Sequence, residues 1–536
     1  MKKLKLVCVA IAMAGAAPTF AGGLLTNTNQ HVAFNRMMSR EASIGIDGVY
    51  YNPAGVVFMG EGHHLAINWQ LAYQTRTINN DYKLFTNNVN NPITPRDFKG
   101  KAFAPVIPSF QYAYNKGKWS FQANFSLTGG GGKCTFDDGL GSFEKIVSET
   151  AIAACGLAGV VDQTLGNKLG QQGMEMFTSD QAFGKTGKYS FNSYMHGRQY
   201  YYGLSVGAAY KFCDNFSAFL GVRGVYALTN YYGYVENINV GNMPLYKVLD
   251  PTKENAANIE LSCDQTGVGF TPIIGVDYKT GRWNFSAKYE FKTRIRLKNK
   301  SVNQTPSIGN LPANLANQMT GILTARYQQA GLPLEQAKQQ AENTTNAVLN
   351  DPTVGATMMG LKTQFDQKLN KAIGEYEDGK KIAGDIPGYL ALGIGYSPVD
   401  AVRVNVGFHW FDDKNATSYN NRNKELKRGT LEYNAGVEVD VNKKITLSTG
   451  WQNTNYGLSD EYMDDKSFVV GSNSAAIGGV YHINKKMDLN VAYFHTFYQH
   501  KKTSETVQLA ADNSIVYNSD YTRNNNVFAV GLDINF

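Results

Sequence analysis

The residues in this sequence with the types and spacing to hold a ligand are cations placed at alternate positions among apolar ones. Between Phe216 and Val225, the residues Phe219, Gly221, Arg223 and Val225 fall on one face of an extended segment, and Phe216, Ala218, Leu220 and Val222 on the other. Such a face suits an anionic group carried on an apolar body, with Arg223 the first candidate for the charge. Lys288, Arg294 and Arg296 share one parity with Glu290, and Arg36 and Arg40 add cations near the N-terminus. Pairing with acids such as Glu290 is the competing role for every one of them.

Other chemistry is disfavoured by the same inventory. The 8 His are dispersed, so Ser, His and acidic groups do not gather into a nucleophile and its base, and the chain reads as no enzyme. His409, on the same parity as Arg403, reads as a histidine satisfied by its neighbours rather than a base. Cys134, Cys155, Cys213 and Cys263 lack the paired spacing of a zinc site, so neither a metal nor a cofactor is expected. A net charge of +7, spread along the chain, gives no nucleic-acid partner.

Compartment and periodicity decide what positions the cations. Lys2, Lys3 and Lys5 precede an apolar run, Leu6 to Ala17, and Thr19-Phe20-Ala21 follows, so residues 1–21 read as a secretory signal peptide. Cys8 leaves with it. No later run reaches the roughly 18 apolar residues of a membrane helix, and the mean hydropathy of -0.32 is too polar for a helical membrane protein.

Alternation supplies the alternative. Trp119, Phe121, Ala123, Phe125 and Leu127 oppose Ser120, Gln122, Asn124, Ser126 and Thr128, and the pattern recurs at Val402 to Trp410, Trp283 to Lys292 and Phe528 to Phe536. Candidate strands run near 63–77, 106–115, 118–130, 198–212, 215–235, 268–280, 283–298, 387–398, 402–413, 429–442, 444–457, 467–485, 487–501 and 527–536. They number about fourteen. Short polar turns alternate with long segments at 78–105, 131–197, 236–267, 299–386, 414–428, 458–466 and 502–526. The fold class is therefore all-β: a transmembrane antiparallel barrel spanning 63–536, with short turns and both termini in the periplasm and long loops outside.

Within the outer loops, 141–170 and 310–375 turn helical in spacing. Leu311, Leu315, Met319 and Ile322 then form either an apolar landing groove or the core of a folded lid. Cys213 falls at the periplasmic end and stays free, because a disulfide needs Cα atoms within about 7 Å. At most one bridge is expected among the outer cysteines, most plausibly Cys134 to Cys155.

About fourteen strands leave a lumen too wide for side chains alone, and residues 22–62 precede the first strand. They read as a plug. Ala42-Ser43-Ile44-Gly45 and Tyr50-Tyr51-Asn52-Pro53-Ala54-Gly55, following Asn35 and Arg36, resemble the hatch of the FadL and TodX family of outer-membrane hydrophobic-compound channels. The likeness extends to the strand number, the helical loops and the terminal Phe536, nearly the whole mature chain. It implies passive uptake of long-chain fatty acids or related hydrophobic compounds. A ligand would meet an outer-loop groove first, then lumen and hatch residues for which Arg223, Phe219, Val225, Lys288, Arg294 and Arg36 are the candidates. Asn52, Pro53 and Ala54 mark the hatch motif, as a moving latch or a sturdy anchor. Expected partners are outer-membrane lipids, the hydrophobic ligand and the barrel assembly machinery, with the chain a monomer. An adhesin or structural barrel, or a porin for polar solutes, is the alternative.

Overall fold

The structure is a computed structural model that describes residues 24–306, 308–510 and 513–536; the expected signal peptide lies outside the described residues. Fourteen antiparallel strands close into a barrel. They are β1 (Gly62–Tyr82), β2 (Arg96–Lys116), β3 (Trp119–Phe136), β4 (Tyr189–Cys213), β5 (Phe216–Val240), β6 (Ile259–Thr280), β7 (Trp283–Glu290, resuming at Arg296–Gln304), β8 (Lys381–Ala383, resuming at Tyr389–Val399), β9 (Val402–Phe411), β10 (Thr430–Asn442), β11 (Ile445–Asn455), β12 (Ser472–Asn484), β13 (Met487–Tyr498, resuming at Lys501–Ala510) and β14 (Asn513–Asn535). β14 pairs with β1 from Asn535 opposite His64 to Tyr517 opposite Tyr82, which removes the sheet edge.

Alternation sorts the side chains as expected. On β5, Ser217, Phe219, Arg223 and Val225 are buried inside while Leu220 is 69% exposed outside, and on β6 Phe270 is 70% exposed. Exposed apolar side chains recur around the closed wall, a belt that only a bilayer covers at low cost. Rings gather where strands meet short turns, with Trp119 against Tyr210 at 4.7 Å and Trp283 stacked on Tyr396 at 4.3 Å.

The strands outrun the belt. β4 and β5 are 25 residues each, against about ten for crossing lipid. Parts of the expected loops, 78–82, 96–105, 131–136, 189–197 and 236–240, continue the ladder, and 502–510 and 513–526 pair in the projecting β13–β14 hairpin instead of forming a loop. Outside the lipid neither face must be apolar, so alternation ends while backbone pairing continues.

Two irregularities matter for the interior. Between β2 and β3 the pairing jumps from Phe103 opposite Lys133 to Ser109 opposite Ser126, leaving a gap beside Gly129-Gly130-Gly131-Gly132. Between β6 and β7 the register slips by one residue, from Glu290 opposite Ile273 to Lys298 opposite Thr266. Residues Phe291–Ile295 absorb the slip, so the inward parity changes from Lys288 and Glu290 to Ile295, Leu297 and Asn299. Arg294 and Arg296 therefore face outward, correcting the expectation that they share the lumen with Lys288.

Residues 24–60 lie inside the wall, with α1 (Val32–Met37), α2 (Gly48–Tyr51) and the 3-10 turn Gly55–Phe58 almost wholly buried. At the opposite end from the short turns, α3 (Gly141–Leu169), α4 (Tyr246–Leu249), α5 (Leu311–Gln329), α6 (Leu334–Leu349) and α7 (Pro352–Ile373) form the lid. Their apolar faces meet in one cluster that includes Val161, Leu165, Leu315, Leu323, Val348 and Val354. All four described cysteines are free thiols. The expected Cys134–Cys155 bridge is absent because Cys134 packs with Ile78 and Phe136 at the strand wall, whereas Cys155 belongs to the lid cluster.

Candidate functional site

The lid encloses a cavity of about 470 Å³ whose walls are almost entirely apolar, among them Val147, Leu157, Leu249, Leu311, Leu315 and Leu361. Leu311 and Leu315 thus sit where the outer groove is expected. Met319 is fully buried between helices, and Ile322 is 41% exposed on the outer face, with Leu323 taking the buried position. The buried stripe of α5 steps by four because it follows the seam with α6; a step of three at Ile322 leaves that seam.

A second cavity of about 390 Å³ lies against the first residues of the plug, Leu24 and Leu25, and is walled by Tyr201, Leu297 and Phe468 among others. Tyr231 and Tyr376 line both cavities, with ring centroids 5.4 Å apart. The two rings are the partition between an outer apolar chamber and an inner, more polar one. Val225 packs behind the inner chamber with Tyr201, Leu297 and Ile382, while Phe219 packs against Ala54 and Val57 of the plug.

Beneath the inner chamber the plug is fastened by buried charge. Glu438 of β10 accepts from Arg36, from Arg40 at 3.1 Å and from Arg403 at 3.3 Å; Arg40 also holds Asp47 at 2.7 Å, and Arg403 holds Asp440. Arg36 further donates to Ser448 at 3.0 Å and Asn490 at 3.2 Å. A second network centres on Tyr50. Arg223 grips Glu290 through two bonds of 2.6 and 2.9 Å, and Lys288 donates to Glu290 at 2.9 Å and to the Tyr50 carbonyl at 2.6 Å. His409 lies between the plug's Glu41, 2.7 Å from Nε2, and Glu432, 2.8 Å from Nδ1. Both ring nitrogens thus face carboxyl groups, one on the plug and one on the wall, so the ring links the two.

Arg223 and Lys288 therefore face inward as alternation requires and Arg36 reaches the wall from the plug, yet all three are engaged in holding the plug. None is an open cation for a ligand in this arrangement. Burying such charges is tolerable because each network pairs them closely. The Asn52-Pro53-Ala54 element serves the same end: Asn52 Nδ2 donates to Asp277 at 2.6 Å, Gln122 donates to the Pro53 carbonyl at 2.7 Å, and Ser217 donates to the Ala54 carbonyl at 2.7 Å. Three consecutive residues are tied to three strands, β6, β3 and β5.

At the wall gap, the plug again supplies the missing partners. The Asn27 backbone N–H donates to the Thr128 carbonyl at 2.9 Å, and its side chain donates to the Gly130 carbonyl at 2.7 Å. Gln30 reaches the Leu127 carbonyl at 2.9 Å.

One pair of cations escaped the sequence reading. Arg76 of β1 and Arg523 of β14 stand directly opposite each other across the barrel seam, and both are buried. Arg76 donates to Gln74 at 2.9 Å, and Arg523 lies 4.9 Å over the ring of Phe468, a wall residue of the inner chamber. Arg76 lies within the expected strand 63–77, and parity carried back before 527 in β14 would have found Arg523 opposite it.

No family model matches the chain, and no curated protein matches it. Solved structures do. A FadL homologue from Pseudomonas aeruginosa is 13% identical over 96% of this chain and 100% of its own, with a TM-score of 0.57. A TodX mutant, a monoaromatic hydrocarbon channel, is 13% identical over 94% of this chain and 99% of its own, with a TM-score of 0.51. This chain has the fold of the FadL and TodX family of outer-membrane channels.

Proposed function

We propose that this protein is a bacterial outer-membrane channel for passive uptake of hydrophobic compounds, and that long-chain fatty acids are its ligand class. The carrying observation is the apolar chamber of about 470 Å³ held under the helical lid. An alkyl chain gains about 0.8 kcal/mol for each CH₂ it buries in such a place, and a polar solute gains nothing. From there Tyr231 and Tyr376 gate the step to the inner chamber above the plug. The fold of the solved channels agrees with this use, one of them being by its name a hydrocarbon channel.

Arg76 and Arg523, opposite each other on β1 and β14 with Arg523 over the inner chamber's Phe468, are the cations we assign to a ligand carboxylate, an assignment that favours an acid over a neutral hydrocarbon. The plug, residues 22–62 with its Asn52-Pro53-Ala54 anchor, seals the lumen against polar solutes. The gap between β2 and β3, covered by Asn27 and Gln30, offers a side exit toward lipid when the plug shifts. Short turns and both termini then face the periplasm, and one chain suffices.

Binding by the full-length chain in mild detergent tests the reading, using a long-chain fatty acid, its methyl ester and a sugar. The acid is expected to bind more tightly than the ester, and Arg76→Gln with Arg523→Gln to weaken the acid by about tenfold while leaving the ester unchanged. Equal binding of acid and ester overturns the ligand class; no binding of either overturns the channel reading.

A further inference from the structure

The register slip that turns Arg294 and Arg296 outward also lines up cations on the outer wall. Arg294, in the irregular stretch between the two parts of β7, and Arg296, Lys298 and Lys300 of its second part occupy successive outward positions, all exposed, and Lys381 of β8 stands directly opposite Lys298. Like charges facing each other across a ladder are destabilising unless something anionic lies between them. Among the described residues, Arg294, Lys298, Lys300 and Lys381 make no ion pair. Arg296 holds Asp385 at 2.9 Å, and Asp264, opposite Lys300, accepts from Asn230 at 2.8 Å.

The height of the patch identifies its partner. The Arg294 carbonyl lies against Gly269 and the Arg296 carbonyl against Gly267, so the two arginines flank Val268 and Phe270, 63% and 70% exposed at the upper edge of the lipid-facing belt. Lys298 and Lys300 lie one and two outward positions farther from the lipid, opposite Thr266 and Asp264. Guanidinium and ammonium groups at that border meet the phosphate layer of a membrane leaflet.

We infer that this patch binds the phosphorylated saccharide headgroup of an outer-leaflet glycolipid, its phosphates bridging Lys298, Lys381 and Lys300 while the acyl chains lie along Val268 and Phe270. The inference rests on the outer-membrane placement proposed above, with the lid facing outward. Its physical effect is to seat a lipid against β6 to β8, away from the β2–β3 gap.

The test uses the purified full-length protein incubated with vesicles of bisphosphorylated lipid A, with retained lipid counted by mass spectrometry after detergent exchange. Wild type is expected to retain lipid A, and a Lys298→Gln, Lys300→Gln, Lys381→Gln variant about tenfold less. Dephosphorylated lipid A is expected to be lost from both. Unaltered circular dichroism and fatty-acid uptake of the variant confirm that the barrel is intact. Equal retention by variant and wild type, or of lipid A with and without phosphate, overturns the inference. Failure of the transport reading would appear separately, as absent fatty-acid uptake with lipid retention unchanged.

Discussion

Glu438 accepts from three guanidiniums, two of them on the plug, so its removal leaves Arg36 and Arg40 buried without their shared acid. Glu438→Gln is expected to loosen the plug by about 3–5 kcal/mol, read as faster amide exchange over residues 32–42. Unchanged exchange there would mean that Asp47 and the polar wall carry the plug alone. Sterics act beside charge: a Cβ at Gly450 would collide with the Met37 carbonyl. Gly450→Ala is therefore expected to cost about 1–3 kcal/mol through overpacking, measured by the same exchange, with a neutral result counting against close seating. Sequence parity alone places Arg223 and Lys288 inward, and Glu290 is visible as their partner. It misplaces Arg294, because a one-residue slip has no local signature in composition; it is set by how β7 must meet β6 on one side and β8 on the other.

Among the elements, α5 offers a direct comparison within one helix. Leu315→Ala is expected to destabilise the lid by about 2–5 kcal/mol, and Ile322→Ala to lie within about 0.5 kcal/mol of wild type, in thermal unfolding followed by lid amide exchange. Equal effects would contradict the four-step seam with α6. The lid also carries a pH dependence. Burial pushes the Glu375 carboxyl up to about 7 from 4.5, against the opposing pull of Lys466 and Arg422. Its ionised form is penalised only in the folded lid, so the local stability is complete below about pH 4.5 and falls as pH rises through about 7. Exchange over 374–386, corrected for its intrinsic pH dependence, is expected to be faster at pH 8 than at pH 5.5, and Glu375→Gln to remove the difference. Alternation reveals the lipid-crossing middle of each strand, where one face must be apolar. Their outer thirds are invisible to it, and that is why Arg523 reads as loop.

Across the whole molecule, the proposed path runs through an apolar chamber under the lid, the Tyr231 and Tyr376 partition, and an inner chamber whose Phe468 lies under Arg523, to a plug tied to the wall by buried charge. Fold class and strand number follow from alternation and connection length. The chambers do not, because the outer one arises where helices from three separate loops meet and the inner one where loop segments meet the plug. Uptake of a labelled long-chain fatty acid and a labelled sugar by vesicles carrying the purified chain tests the account most directly. The account predicts entry of the acid, exclusion of the sugar, and sugar leakage once residues 24–60 are deleted. Sugar entry through the intact protein, or no entry of the acid, would contradict it.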